Sequence, residues 1–143
     1  SLIRDSFKGT IVFCPSFYSF DPILEKVFGK MPEGYMEEIA SMVPPDVSIA
    51  WTGPKVISPA IDGEHLAQVT ELLRRPPFIW ENLFANDGPR NCKYLKLKGY
   101  SGRSPQTIPM VEAVAFNLMN QGQLSKLCLV SSIFVLRHGM GPE

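Results

Sequence analysis

Short, almost wholly apolar runs that stop at proline or glycine, with helix-patterned segments between them, restrict this chain to few architectures. Residues 10–14 (TIVFC) are β-branched and aromatic and are closed by Pro15. Residues 47–51 (VSIAW) are closed by Thr52, Gly53 and Pro54, and residues 78–80 lead into a polar stretch, 81–90. Each run reads as a buried strand, because strands covered on both faces carry continuous apolar sequence. Between the first two, residues 32–43 place apolar side chains at 35, 36, 39, 42 and 43 on one helical face. Pro32 suits the first turn of that helix, and Pro44-Pro45 stops it. Residues 64–75 carry the clearest helical pattern, with Leu66, Val69, Leu72 and Leu73 on one face. Asp62 is placed to cap it, Arg74 and Arg75 sit where the C-terminal dipole favours cations, and Pro76-Pro77 ends it.

Alternating strands and helices predict right-handed βαβ units and a parallel sheet, an α/β fold. In such folds the loops after the strands carry function. Here those loops are residues 15–21, 52–55 and 81–90, and they hold Ser16, Tyr18, Lys55, Asn82, Asn86 and Asp87. Two segments stay open on periodicity alone. Residues 108–117 suit either a helix or a strand ending at Asn117, and residues 127–136 suit a strand or a buried helix.

Composition narrows the partners. The chain has 143 residues, 45% apolar and 20% charged, a globular balance. Lysine plus arginine number 14, as do aspartate plus glutamate, so no basic excess argues for nucleic acid or an anionic membrane. The apolar run 127–136 is too short to span a bilayer, and the N-terminus lacks the order of a signal peptide. Cys14, Cys92 and Cys128 form no disulfide framework and no metal-ligand spacing, and His65 and His138 are far apart in sequence. The expectation is no metal, no cofactor and a reducing compartment, cytoplasmic or nuclear.

Trp80, Glu81, Asn82, Asn86 and Asp87 follow directly on an apolar strand. Sugar sites use such groups: an aromatic face covers the apolar face of a ring, and planar amides and carboxylates pair with hydroxyls. The competing reading is a turn, since Asn and Asp beside Gly88-Pro89 bond to nearby backbone. Composition alone favours the turn. Trp51 reads as core, and Lys55 as either a loop cation or a solvated side chain. Cys14 ends a strand taken as buried and has no histidine close in sequence to activate it, so it reads as an inert apolar group. Gly99 to Arg103 has too few glycines for a phosphate loop. Glycoside cleavage needs two placed carboxyls, or one plus a substrate group. No two aspartates are adjacent, and Glu37-Glu38 look like the solvated face of mid-helix.

Longer motifs decide between these readings. Trp51-Thr-Gly-Pro-Lys-Val56, the run from Pro77 to Asp87 (PFIWENLFAND), and Gly102-Arg-Ser104 followed by Ile108-Pro109 resemble the protein O-GlcNAcases of glycoside hydrolase family 84. Phe13-Cys-Pro15 with Tyr18 fits the same family upstream, and the order and spacing agree from about Thr10 to Asn117.

The resemblance implies the C-terminal half of a (β/α)₈ TIM barrel over residues 1–117, with 118–143 a diverged segment. It implies a β-N-acetylglucosaminidase that removes O-linked N-acetylglucosamine from Ser and Thr of nuclear and cytosolic proteins. The sugar's own acetamide attacks the anomeric carbon, helped by two adjacent aspartates that in the family lie upstream of the Phe-Cys-Pro segment. Here the similarity implies substrate-binding roles and no catalytic residue. Tyr18 lines the acetamide pocket, Trp80 packs on the acetamide or ring, and Asn82 bonds near the reacting centre. Asp87 takes the outer hydroxyls and Asn117 a further one. Glu81 and Phe84 stand where close relatives more often have Asp and His. A whole barrel takes ~250 residues, so this length implies half, with two open edges that invite self-association or a complementary half-barrel. The expected partners are O-GlcNAc-modified proteins. The alternative is a non-catalytic sugar-binding or regulatory fragment.

Overall fold

A computed structural model describes residues 6–139. In chain order the elements are β1 (Ile11–Phe13), α1 (Ile23–Phe28), α2 (Tyr35–Met42), β2 (Val47–Trp51), α3 (Gly63–Leu73) and β3 (Phe78–Glu81). A 3₁₀ helix (Pro105–Met110), β4 (Ala113–Phe116) and α4 (Gly122–His138) follow. The strands form a four-stranded sheet in the order β1-β2-β3-β4, and every pair is parallel. Sequential parallel strands joined by crossovers make the α/β parallel sheet that the alternation predicts and the partial barrel that the resemblance implies. The crossover from β3 to β4 differs, being a long irregular loop plus the 3₁₀ helix.

Register assigns the two faces. Ala50 pairs with Phe78 and Trp80 with Ala115, so these share one face with Ser48 and Ala113. The opposite face carries Ile49, Trp51, Ile79 and Val114, which pack with Leu66, Val69 and Leu73 of α3 and Met36 of α2. Trp51 is fully buried there and its indole N–H donates to His65 Nε2 at 3.0 Å, so the core reading of this residue holds. Asp62 caps α3 by accepting from the His65 N–H at 2.8 Å.

The expectation of strands buried on both faces fails outside β2. All five residues of β2 are buried, but Val12, Phe13 and Trp80 are exposed, as is Ala113. The helices cover one face of the sheet only. Cys14 is consequently exposed and not a buried strand end. Two helix details also change. Gly34, in the left-handed region at φ 73°, starts α2, so Pro32 lies before the helix and Glu37 and Glu38 occupy its first turn. Arg75 serves α2 as well as its own helix: its guanidinium donates to the carbonyls of Ala40, Val43, Pro44 and Val47. A fork with several donors fits such a cluster of terminal carbonyls.

The two open segments resolve as follows. Residues 108–117 divide between the end of the 3₁₀ helix and β4, and residues 127–136 lie inside α4. Helix α4 buries Ser125, Cys128, Ser132 and Val135, at helical spacing. It closes a second core of Phe84, Tyr100, Met119, Cys128 and Val135 over the β3–β4 loop. No helix among the described residues is long and apolar enough to cross a membrane.

Candidate functional site

A cavity of about 300 Å³ opens at the C-terminal ends of the strands, lined by Cys14, Tyr18, Ala50, Thr52, Trp80, Asn82 and Asn117. Each strand contributes the residue at its end or in the following loop, because side chains of one parity leave the same face of a parallel sheet. Trp80 projects from β3 with 44% of its surface exposed. An indole left in the open on the sheet face is a ready platform for an apolar ring surface.

Hydrogen bonds hold the four loops in sequence around this cavity. Thr52 N–H donates to the Tyr18 carbonyl at 2.9 Å, and Val56 N–H to Asp21 Oδ2 at 3.1 Å, which fastens the first loop to the second. Asn82 Nδ2 donates to the Val56 carbonyl at 2.9 Å, fastening the second to the third. Asn117 Nδ2 donates to Asn82 Oδ1 at 2.9 Å, and Asn117 N–H to the Glu81 carbonyl at 2.9 Å, fastening the third to the fourth. Gly53 makes the second loop possible. Its φ is 101°, and a Cβ there would meet Ser58 Oγ at 2.5 Å. Ser58 in turn donates to the Thr52 carbonyl at 3.0 Å.

Beneath the cavity floor lies a buried ion pair. Glu81 is 1% exposed, and its carboxylate takes the Arg103 guanidinium through Nε at 2.7 Å and Nη2 at 2.9 Å. Tyr100 Oη donates to the same carboxylate at 2.9 Å, and Leu83 N–H at 2.9 Å. Arg103 also reaches the carbonyls of Ser58, Pro59 and Ser101. Burial first, and then the adjacent Glu81 charge, push the Tyr100 phenol far above its ordinary value. Tyr18 is also raised, chiefly by partial burial and then by Cys14 and Asp21.

Four of the five residues singled out from the sequence therefore share one cavity: Tyr18, Trp80, Asn82 and Asn117. Asp87 does not line it. Asp87 lies exposed, five positions beyond Asn82 in the same loop. Its neighbour Asn86 is buried and structural, donating to the Tyr94 carbonyl and Gln121 Oε1. Cys14 and Thr52 line the cavity without having been read as ligand contacts. Glu81, grouped in the sequence with the sugar-site polar residues, is instead a buried structural carboxylate, and its partners Tyr100 and Arg103 carry no local signal, since no spacing links a glutamate to an arginine 22 positions on. The Gly-Arg-Ser motif carried the arginine, but nothing in it names the partner.

The lining offers an indole, a phenol, two carboxamides, a hydroxyl and a thiol. That set binds a neutral polar molecule with an apolar face through hydrogen bonds and stacking. Partial desolvation beside the cavity raises the Cys14 thiol although the residue is exposed, which disfavours its nucleophilic form. Among the described residues, no group of three or more His, Cys, Asp or Glu could hold a metal ion.

Comparison with known proteins points one way. The model of the beta-N-acetylglucosaminidase family matches residues 3–136. Protein O-GlcNAcase from Rattus norvegicus is 35% identical over 108 residues, 76% of this chain and 11% of that protein. The Mus musculus Protein O-GlcNAcase gives the same figures, 35% over 108 residues. A solved structure of a Thermobaculum terrenum O-GlcNAc hydrolase variant superposes with a TM-score of 0.79 at 29% identity, covering 95% of this chain and 28% of that one. The chain thus spans about a tenth of the length of its curated relatives.

Proposed function

This chain belongs to the beta-N-acetylglucosaminidase family, and from that premise we propose that it supplies the sugar-gripping part of a glycoside hydrolase acting on O-GlcNAc-modified proteins. The observation that carries the reading is the convergence of Tyr18, Trp80, Asn82 and Asn117 on one cavity. Trp80 stacks on the apolar face of the ring or on the acetamide methyl. Tyr18 closes the acetamide pocket with its phenol kept neutral. Asn82 and Asn117 present the remaining donors and acceptors of their paired amides to hydroxyls. Asp87, from the rim of the same loop, takes the outer hydroxyls.

The cleavage itself is substrate-assisted in this proposal. The acetamide oxygen attacks the anomeric carbon as the glycosidic bond breaks, and a carboxylic acid protonates the departing Ser or Thr oxygen. The described lining of the cavity contains no carboxylate. In this proposal the adjacent aspartates that orient the acetamide and move the proton lie outside residues 1–143, and those residues by themselves do not turn the substrate over. A complementary half-barrel is the natural partner, since it would also cover Val12 and Trp80 on the open sheet face. A cytoplasmic and nuclear setting fits the three free thiols.

A second reading, a non-catalytic sugar-binding or regulatory fragment, rests on the same carboxylate-free lining. Calorimetric titration with N-acetylglucosamine tests the shared premise: wild type releases heat, whereas Asn82→Ala and Asp87→Ala release much less. Absence of heat from every protein sinks both readings. Turnover of a chromogenic β-N-acetylglucosaminide by the purified chain would overturn the assignment of the acid pair to another segment.

A further inference from the structure

The β3–β4 loop concentrates positive charge that the composition hides. Overall the chain is neutral, yet Arg90, Lys93, Lys96 and Lys98 fall within nine residues, and no acidic residue occurs between Asp87 and Glu112. Among the described residues the ion pair on this loop is Arg103 with Glu81, so no carboxylate neutralises the other four cations. Tyr94, Leu95 and Leu97 alternate with them and are 63%, 50% and 50% exposed.

This stretch is firmly held from beneath. Lys96 N–H donates to Met119 Sδ at 3.0 Å, and the Lys96 carbonyl accepts from the Cys128 thiol at 3.3 Å. Tyr100 N–H donates to Ser131 Oγ at 3.1 Å, and the Tyr94 carbonyl accepts from Asn86 at 3.1 Å. The backbone is therefore committed to Met119, α4 and the Asn86 amide, while Arg90, Lys93 and Lys98 are exposed and Lys96 is partly so. A groove of about 350 Å³ runs here, lined by Pro59, Leu83, Phe84, Lys96, Lys98 and Ser101. Leu83 of this groove directly follows Asn82 of the sugar cavity in the loop after β3.

We propose that this groove seats an acidic stretch of polypeptide flanking the glycosylated Ser or Thr, an inference that rests on the sugar-binding reading of the neighbouring cavity. Charge complementarity identifies the occupant. Apolar walls at Leu83, Phe84 and Pro59 accept aliphatic stems, and Lys96 and Lys98 meet Asp or Glu carboxylates. The chain is neutral overall, so the other residues offset these four cations, and mobile salt ions confine the local field to about a Debye length, ~8–10 Å at physiological salt. That range suits a few carboxylates on a short peptide and not the long phosphate track of a nucleic acid.

Fluorescence anisotropy with four labelled serine peptides of equal length tests this: acidic or neutral, each with and without O-linked N-acetylglucosamine. Wild type is expected to bind the bare acidic peptide at least about fivefold more tightly than the bare neutral one at low salt, an advantage that salt erodes. Lys96→Glu combined with Lys98→Glu abolishes the preference, and Lys126→Glu, an exposed change on α4, keeps it. Equal binding of the two bare peptides, or a preference that survives the double substitution, overturns the proposal. So does a single-stranded oligonucleotide of equal charge that displaces the acidic peptide. The arms separate the two ideas: if the sugar adds nothing to the neutral peptide while the acidic preference stands, the cavity reading fails and the groove does not.

Discussion

The side-chain amide of Asn117 donates to the side-chain oxygen of Asn82 at 2.9 Å, across β3 and β4. The other end of Asn82 donates to the Val56 carbonyl, so both amide groups have a fixed orientation and each keeps unused hydrogen-bonding capacity for a ligand.

Asn82→Asp separates these tasks. The new carboxylate keeps an acceptor for Asn117 but faces the Val56 carbonyl with no donor. Denaturant unfolding should show a loss of about 1–3 kcal/mol, and the heat of N-acetylglucosamine binding should fall sharply. An unchanged midpoint would show that the Val56 contact does not hold the second loop.

Arg103→Met strands a carboxylate in a site 1% exposed. The expected cost is about 3–5 kcal/mol, read as a drop in the urea midpoint. Pairing it with Glu81→Leu removes the orphaned charge, so the double variant should recover part of the loss. If the two changes simply add, the pair is not the coupled unit described above.

His65 gives the fold an acid-sensitive point. Burial is the main cause that lowers its pKa below the ordinary imidazole value, partly opposed by Asp62, and its Nε2 accepts from Trp51 only when neutral. A base whose folded pKa is depressed binds fewer protons folded than unfolded, so stability is present above the unfolded value and falls as the pH drops through the folded one. Thermal midpoints should decline below about pH 6.5. His65→Gln should flatten that slope, and an unaltered slope would assign acid sensitivity elsewhere.

Strand and helix positions were legible because local pattern determines them. The core face of α3, the Asp62 cap and the burial of Trp51 all follow from spacing and residue type. What failed was the inference from apolar sequence to two-sided burial. Val12 and Trp80 are apolar, yet the helices of this chain cover only the other face, and no local signal reports which faces a chain itself can cover. The site was partly legible: long motifs identified Tyr18, Trp80, Asn82 and Asn117, which converge. The support under it was not, since Glu81, Tyr100 and Arg103 meet through tertiary contacts that sequence separation conceals.

One guanidinium touches the Glu81 carboxylate and the carbonyls of Ser58, Pro59 and Ser101, which makes the two central loops a single mechanical part. A change in one loop therefore loads the other. Descendants that exchange Glu81 for a shorter acid must re-seat Arg103, and with it the segment that Val56 and Asn82 share. A graft of either loop alone into another scaffold would arrive without its anchor.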